Sequence, residues 1–316
     1  MTRFDILMPA FNAERTIAQS IQSVLDQTLT EWHLWIVDDG STDRTAQTVE
    51  PFLSDPRISL LRQSNKRMGA ARNAALRAGT APLVCFLDSD DLWLPHKLES
   101  QNAAIEASGA TVTFSDGEIF IEGEPSSVSA KRFETLRGYY TGQEMLKMAL
   151  LRNQIPILSA SVRRAAIEEA NGFEETFFST EDYDLWIRLA EKGADFYGID
   201  AYLVRYRRHL SSVTTEVSAK VMLSDVAVWE RHFETARAVG VDQELRAKLK
   251  VFYHTAALKF VKEGRVRQAK ALFNSASARR WDGKMTSWQR RAFNLFPRPY
   301  RALYEGLGRL KTLFKA

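Results

Sequence analysis

Three acidic clusters carry residue types that could do chemistry: Asp38-Asp39, Asp88-Ser89-Asp90-Asp91 and Glu181-Asp182-Tyr183-Asp184. The first two follow short apolar runs, residues 33–37 and 83–87, that read as strands. In an open α/β sheet the carboxyl ends of the strands form the ligand crevice, so these two clusters are expected to face one cleft. Carboxylates gathered there repel one another, and a divalent cation held by hard oxygen ligands relieves the repulsion. Mg2+ or Mn2+ bound by one or two carboxylates, with diphosphate oxygens completing the shell, suits such a cleft better than an all-protein cage. Asp88, Asp90 and Glu99 also imitate a calcium loop, but Trp93 stands where that loop needs glycine. Each cluster alone has a plainer reading. Asp and Ser after a strand are ordinary turn and cap residues, and Glu181 with Ser179 has the spacing-type of a helix cap with acids in the first turn.

A diphosphate also needs donors. Neither G-x-x-x-x-G-K-[ST] nor G-x-G-x-x-G occurs, so a P-loop and a dinucleotide fingerprint are both excluded. Lys66, Arg67 and Arg72 surround Gly69 at the start of a helical stretch, and Arg205, Arg207, Arg208 and His209 form a second basic group. Most of these are expected to be solvated charge, with two or three reaching a ligand. His209, among cations, should resist protonation and so suits a metal.

The elements that must position these residues alternate through the first half of the chain, which is the pattern of a sheet with helices on its faces. Strands are expected at 4–8, ending at Pro9, and at 33–37, 58–61 and 83–87, with helices near 17–25, 42–53 and 68–78 between them. A helix at 96–108 and a strand at 111–115 follow, and 118–137 reads as a surface excursion. Helices at 142–151, 164–170 and 181–192 are interleaved with strands near 159–162 and 202–206. From Glu216 onward helix follows helix, so residues 1–215 are expected to form an α/β domain and 216–316 a helical region.

With 316 residues and 45% apolar content the chain can bury one large core or two modest ones. Its single cysteine, Cys85, excludes an intrachain disulfide and Cys-based zinc sites and favours a reducing, cytoplasmic compartment. No apolar run approaches the length of a membrane span. The net charge of +4 is unevenly placed. Ten Lys/Arg against Asp282 and Glu305 lie in 279–316, interleaved with Trp281, Trp288, Phe293, Phe296, Tyr300, Tyr304 and Phe314. That composition suits an anionic membrane surface better than nucleic acid; packing of the aromatics onto the rest of the protein is the alternative.

Seven strings occur in an order that resembles family 2 glycosyltransferases: Met8-Pro9-Ala10-Phe11-Asn12, Val37 to Asp43, Gly69-Ala70-Ala71-Arg72-Asn73, Phe86 to Asp91, Gly172-Phe173-Glu174-Glu175, Glu181 to Trp186, and Arg207-Arg208-His209. The resemblance covers about residues 4–215. It implies a GT-A, Rossmann-like mixed sheet flanked by helices and an inverting, metal-dependent transfer of a sugar from a nucleoside diphosphate sugar, by family habit UDP-linked. Pro9, Ala10 and Phe11 would line the base and ribose pocket, and Asp39 would accept a hydrogen bond from the base. Lys66, Gly69 and Arg72 would border the nucleotide, Asp88 with its neighbour Ser89 would hold ribose or sugar, Asp90 and His209 would hold Mn2+ or Mg2+, and Asp182 would be the general base. The implied acceptor is a saccharide or lipid-linked sugar in surface or exopolysaccharide assembly, at the inner face of the cell membrane. Phe11 stands where many members have Tyr, and Asn171 replaces a common Gly, which predicts a differently shaped acceptor loop. A sugar nucleotidylyltransferase and an inactive sugar-binding scaffold are the rival readings.

Overall fold

The computed structural model describes residues 2–121, 131–208, 219–269 and 271–272, and the chain divides into two units, Met1–Thr215 and Glu216–Ala316. Unit 1 is built on a mixed sheet. Its strands are β1 (Phe4–Ala10), β2 (Trp32–Asp38), β3 (Ile58–Arg62), β4 (Leu83–Phe86), β5 (Leu92–Trp93), β6 (Val112–Ile121), β7 (Lys131–Phe133), β8 (Gly138–Tyr140), β9 (Ser161–Arg163) and β10 (Phe196–Arg208). The order is β3-β2-β1-β4-β9-β6-β10-β5, with β7 pairing β6 and β8 pairing β10. The strands β3, β2, β1 and β4 run parallel, and β9 reverses direction between β4 and β6. Because β10 is parallel to β6, and β6 to β4, the carboxyl ends of all six parallel strands lie along one edge.

Every residue of β1 is buried, which requires cover on both faces of the sheet. Cover comes from α1 (Ile17–Leu25), α2 (Thr45–Val49), α3 (Arg67–Ala78), α4 (Lys97–Ser108), α5 (Gly142–Leu151), α6 (Arg164–Glu169) and α7 (Glu181–Glu191). Helix α1 buries Ile17, Ile21 and Val24, a helical spacing that gives it one apolar stripe. Helix α5 starts in a capping box in which Thr141 and Glu144 satisfy each other's backbone N–H groups.

The structure differs from the sequence expectations at four places. Strand β1 runs through Pro9 to Ala10. The Leu7 carbonyl accepts from Leu87, so Leu7 and Pro9 face the β4 side, where pairing ends at Leu7 and Phe86. The missing proline N–H therefore has no ladder to break. The helix expected at 42–53 shortens to α2, and Glu50–Ser54, which contains Pro51, tightens into a 3-10 turn. Strand β6 reaches Ile121 instead of ending at Ser115, and β7 occupies part of the expected excursion. Strand β10 is thirteen residues long, because pairing with β6, β5 and β8 carries Gly198 and Asp200 into a sheet that neither favours alone.

Unit 2 contains α8 (Ala219–Arg231), α9 (Phe233–Ala238) and α10 (Asp242–Lys262). Ala219, Ala257, Phe260, Val261 and Ala269 form its buried cluster, and Trp229 meets Phe252 edge to face at 4.7 Å. Among the described residues no helix is long and apolar enough to cross a membrane. Residues 279–316, read as a basic aromatic tail, lie outside the described residues, as does His209.

Candidate active site

The parallel register aligns the first two acidic clusters. Ala10 pairs with Asp38 and Leu7 with Phe86, so the segments leaving β1, β2 and β4 emerge side by side. Pro9 and Ala10 are buried at the carboxyl end of β1, and Phe11, the next residue, is 49% exposed. Asn12 locks this segment to the next: its carboxamide oxygen accepts from the Thr42 N–H at 2.8 Å, and its own N–H donates to Ser41 Oγ.

Asp39 is buried, and its carboxylate already takes three hydrogen bonds, from Gln63 Nε2 (2.7 Å) and from the backbone N–H groups of Lys66 (2.8 Å) and Arg67 (2.7 Å). It thereby ties the end of β2 to the start of α3 and keeps room for one further donor. Lys66 itself is exposed.

Helix α3 connects the clusters. Arg72 is 1% exposed and its guanidinium donates through Nη2 to Asp88 Oδ1 at 2.5 Å and through Nη1 to Glu181 Oε1. Arg72, expected to border the nucleotide, joins the loop after β4 to the first turn of α7. Burial works against its charge, yet Asp88 and Glu181 outweigh burial and raise its proton affinity. The next residue, Asn73, donates to the Phe173 carbonyl and to Glu175 Oε1, each at 2.9 Å, and accepts from the Phe173 N–H. Gly69 lies under the same loop: a β-carbon there would stand 2.9 Å from the Glu174 carbonyl oxygen, so a side chain would push the loop away. The Gly69-Arg72-Asn73 string is therefore the spine on which the two halves of the site are mounted.

Helix α7 is held firmly. Tyr183 donates to the Ala149 carbonyl (2.6 Å) and Trp186 to that of Ile155 (3.1 Å), while Arg188, paired with Asp184, donates to the carbonyls of Ala170 and Gly172. Asn171 and Gly172 both adopt left-handed backbone, φ 62° and 68°. Asn tolerates that conformation better than most residues, so the turn keeps a shape available to glycine. Phe86, at the end of β4, packs edge-on against Phe173 and Trp186 and fixes the spacing between β4 and α7.

Glu181 and Asp182 open α7. The cap residue is Thr180, not the Ser179 of the plainer reading, and it makes no side-chain cap hydrogen bond. The Glu181 carboxylate turns inward to Arg72, and its Oε2 is buried with no hydrogen-bond partner among the described residues. Asp182 is partly exposed; its Oδ2 accepts from Asn153 Nδ2 at 3.3 Å and its Oδ1 from the Tyr183 N–H at 2.6 Å. Burial and the adjacent Glu181 charge push its pKa up to about 7, against the pull of Arg72.

The loop after β4 is braced from β10. Arg207, one of the second basic group, is buried: its N–H donates to Asp91 Oδ1 (2.8 Å), its Nε to the Asp90 carbonyl (2.6 Å) and its Nη2 to Gln19 (2.7 Å). Ser89 is buried and its carbonyl accepts from Thr16 Oγ1. Burial, with Asp90 and Asp88 close by, raises the proton affinity of Asp91 well above the carboxylate range. That crowding of hard oxygen donors fits a divalent cation. Among the described residues no group of three or more His, Cys, Asp or Glu is arranged to hold a metal, so one or two protein oxygens would have to be completed by a ligand.

Asp39, Asp88, Asp90 and Asp182 are legible as candidates. Asn73 and Asn153 are not, since an isolated Asn resembles any turn residue, and the partner of Glu181, Arg72, lies 109 residues away in the sequence.

The family described as Glycosyl transferase family 2 matches residues 5–169. Over 214 residues, 66% of this chain and 79% of the relative, the chain is 34% identical to the UDP-Glc:alpha-D-GlcNAc-diphosphoundecaprenol beta-1,3-glucosyltransferase WfgD of Escherichia coli. Among solved structures it is similar to S. aureus TarS 1-349 in complex with UDP, with a TM-score of 0.65, 19% identity, and coverage of 98% of this chain and 92% of that one. The mannosyltransferase PcManGT from Pyrobaculum calidifontis, in complex with GDP-Man and Mn2+, aligns at a TM-score of 0.55 with 15% identity over 95% of this chain and 82% of that one. At those identities the two structures establish the shared GT-A fold, a mixed sheet with flanking helices.

Proposed function

The chain belongs to glycosyl transferase family 2, and from that premise we propose that it is an inverting, metal-dependent transferase. It moves a sugar from a UDP-linked donor to a saccharide or lipid-linked acceptor in the assembly of a surface polysaccharide. Membership of the family sets aside the nucleotidylyltransferase and inactive-scaffold readings. The WfgD relative, whose name specifies a UDP-glucose donor and a sugar on a diphospholipid, supports the donor and acceptor classes. The UDP-bound TarS structure supports the base, and the Mn2+ beside GDP-mannose in PcManGT supports the metal. The single cysteine and the basic composition of 279–316 support action in the cytoplasm, at the inner face of the membrane.

The observation that carries the proposal is the Asp88–Arg72–Glu181 bridge, which mounts the loop after β4 and the Asp182 carboxylate on one rigid support. Inversion requires an acceptor hydroxyl to attack opposite the leaving diphosphate, through a transition state with oxocarbenium character. Asp182 accepts the hydroxyl proton; a carboxylate whose pKa lies near 7 is more basic than an ordinary one and ionises as the pH rises through neutrality. Asn153 orients Asp182 by donating to Oδ2. On the donor side, Phe11 offers an exposed ring for the base to stack on, Asp39 has room for one more donor, and Asp88 faces the sugar while Arg72 holds it in place. Asp90, joined by His209, would hold the cation, which supplies charge neutralisation to the diphosphate.

A thermal-shift panel of UDP-, GDP- and dTDP-sugars with Mn2+ or with EDTA tests this reading. UDP-sugars with Mn2+ should stabilise most, since a ligand at 100 times its Kd adds about 2.7 kcal/mol. Equal stabilisation by all three bases, or no difference between Mn2+ and EDTA, overturns the donor or the metal assignment respectively.

A further inference from the structure

Among the described residues three other than glycine hold left-handed backbone: Asn12 (φ 51°), Arg67 (φ 75°) and Asn171 (φ 62°). Asn tolerates that region because its short polar side chain bonds locally, whereas a long side chain such as that of Arg makes the conformation costly. Asp39 holds the strain in place, since its carboxylate accepts from the successive N–H groups of Lys66 (2.8 Å) and Arg67 (2.7 Å). Glycine would meet the same backbone demand without steric cost, so the strain at Arg67 is tolerated for the sake of its side chain. The guanidinium is exposed, lies 6.0 Å from the centre of the Phe178 ring, and has no carboxylate within ion-pair distance among the described residues.

Arg67 thus stretches from the Asp39 end of the cleft toward the loop that leads into α7. Phe178 precedes Glu181 by three residues, and Glu181 is bridged through Arg72 to Asp88. Asp39 follows β2 and Asp88 follows β4, with β1 between them, so the two loops leave the sheet about two strand spacings, roughly 10 Å, apart. A nucleotide with its base at Asp39 and its sugar at Asp88 puts its phosphates over that interval. Three other cations of the carboxyl edge are already committed: Arg72 to Asp88 and Glu181, Arg207 to the Asp90 carbonyl and Gln19, and Arg205 to Glu118 at 3.7 Å. Lys66, exposed as well, has no contact among the described residues that directs its side chain across the interval. We propose that Arg67 is a nucleotide-binding residue: its guanidinium donates to phosphate oxygens of the nucleoside diphosphate, and Phe178 steers it there. The inference deepens the reading of the cleft as a nucleotide-sugar site and rests on it.

The test measures UDP and GDP binding by calorimetry, and melting without ligand, in the full chain as wild type, Arg67→Gly, Arg67→Ala and Arg67→Lys. All four keep the N–H that donates to Asp39. Arg67→Gly and Arg67→Ala should each weaken UDP about tenfold, the loss of a charge-assisted hydrogen bond, with Arg67→Lys, which keeps the charge but not the fork, in between. The salt dependence of UDP binding should also be shallower in both than in the wild type, which the loss of a contact to the base would not produce. Stability should move differently: Arg67→Gly relieves the left-handed residue and should melt above Arg67→Ala, which does not. UDP bound equally well by the wild type and both truncated variants, affinity that merely follows melting temperature, or an Arg67→Gly variant that melts below Arg67→Ala overturns the inference. GDP separates this from the parent reading. If the wild type prefers GDP, the UDP assignment falls, while a tenfold loss of GDP in Arg67→Gly upholds the role of Arg67. If the wild type binds neither nucleotide, the donor reading fails and the inference with it.

Discussion

At the scale of single residues, Asp182 and Asp90 carry the sharpest expectations. Asp182→Asn preserves shape and the hydrogen bond to the Tyr183 N–H but cannot take a proton, so sugar transfer should drop by roughly 10²- to 10⁴-fold while nucleotide binding persists. The same variant has a stability signature. The folded-state pKa of Asp182, about 7, lies above the ordinary carboxylate value, so its ionisation destabilises the fold above pH 7 and contributes nothing below about pH 4. Asp182→Asn should therefore melt higher than the wild type at pH 8, with the gain fading as the pH falls toward 4; a melting temperature lowered at pH 8 would contradict the raised pKa. Asp90→Ala should abolish the Mn2+-dependent part of UDP binding, measured by calorimetry with and without the metal, because the diphosphate then meets bare carboxylates. Retention of the full Mn2+ effect would move the metal to another residue.

At the scale of elements, α3 is the piece on which the site depends. Asn73→Ala strips both hydrogen bonds that Asn73 exchanges with Phe173 and leaves that residue's N–H and carbonyl without the partner they had. Each buried group left unmade costs about 1–3 kcal/mol, so denaturant melts should show a loss of that order. The damage should extend to function: the 173–175 loop packs over Gly69 and, through Phe173, against Phe86 at the end of β4. A variant as stable as the wild type in urea would mean that the loop is held elsewhere.

At the scale of the whole molecule, the chain separates into an α/β unit, Met1–Thr215, and a second unit, Glu216–Ala316, and residues 279–316 are strongly basic. Ending the chain at Trp281 removes Lys284, Arg290, Arg291, Arg298, Arg301, Arg309, Lys311 and Lys315. Sedimentation with anionic vesicles should then be lost, and in the full chain it should weaken as salt rises, since the attraction falls within a Debye length of about 10 Å at 0.1 M salt. UDP binding should be unchanged, because every residue assigned to the cleft precedes position 215. A truncated chain that is insoluble would instead assign the tail aromatics to the core.

The sequence by itself determined the alternation of strands and helices, the carboxyl-edge placement of Asp39, Asp88 and Asp90, and the family to which the chain belongs. Those features are written in local periodicity and in short strings whose residues lie side by side. Tertiary structure alone decided the rest. That Arg72 is a buried bridge between Asp88 and Glu181 depends on contacts across 16 and 109 residues, which no window of sequence contains. That Arg207 braces the Asp90 carbonyl and the Asp91 carboxylate depends on β10 being paired beyond Tyr206. A cation's charge can be read from its letter, but whether it meets water, a ligand or a carboxylate is set by what the fold packs around it.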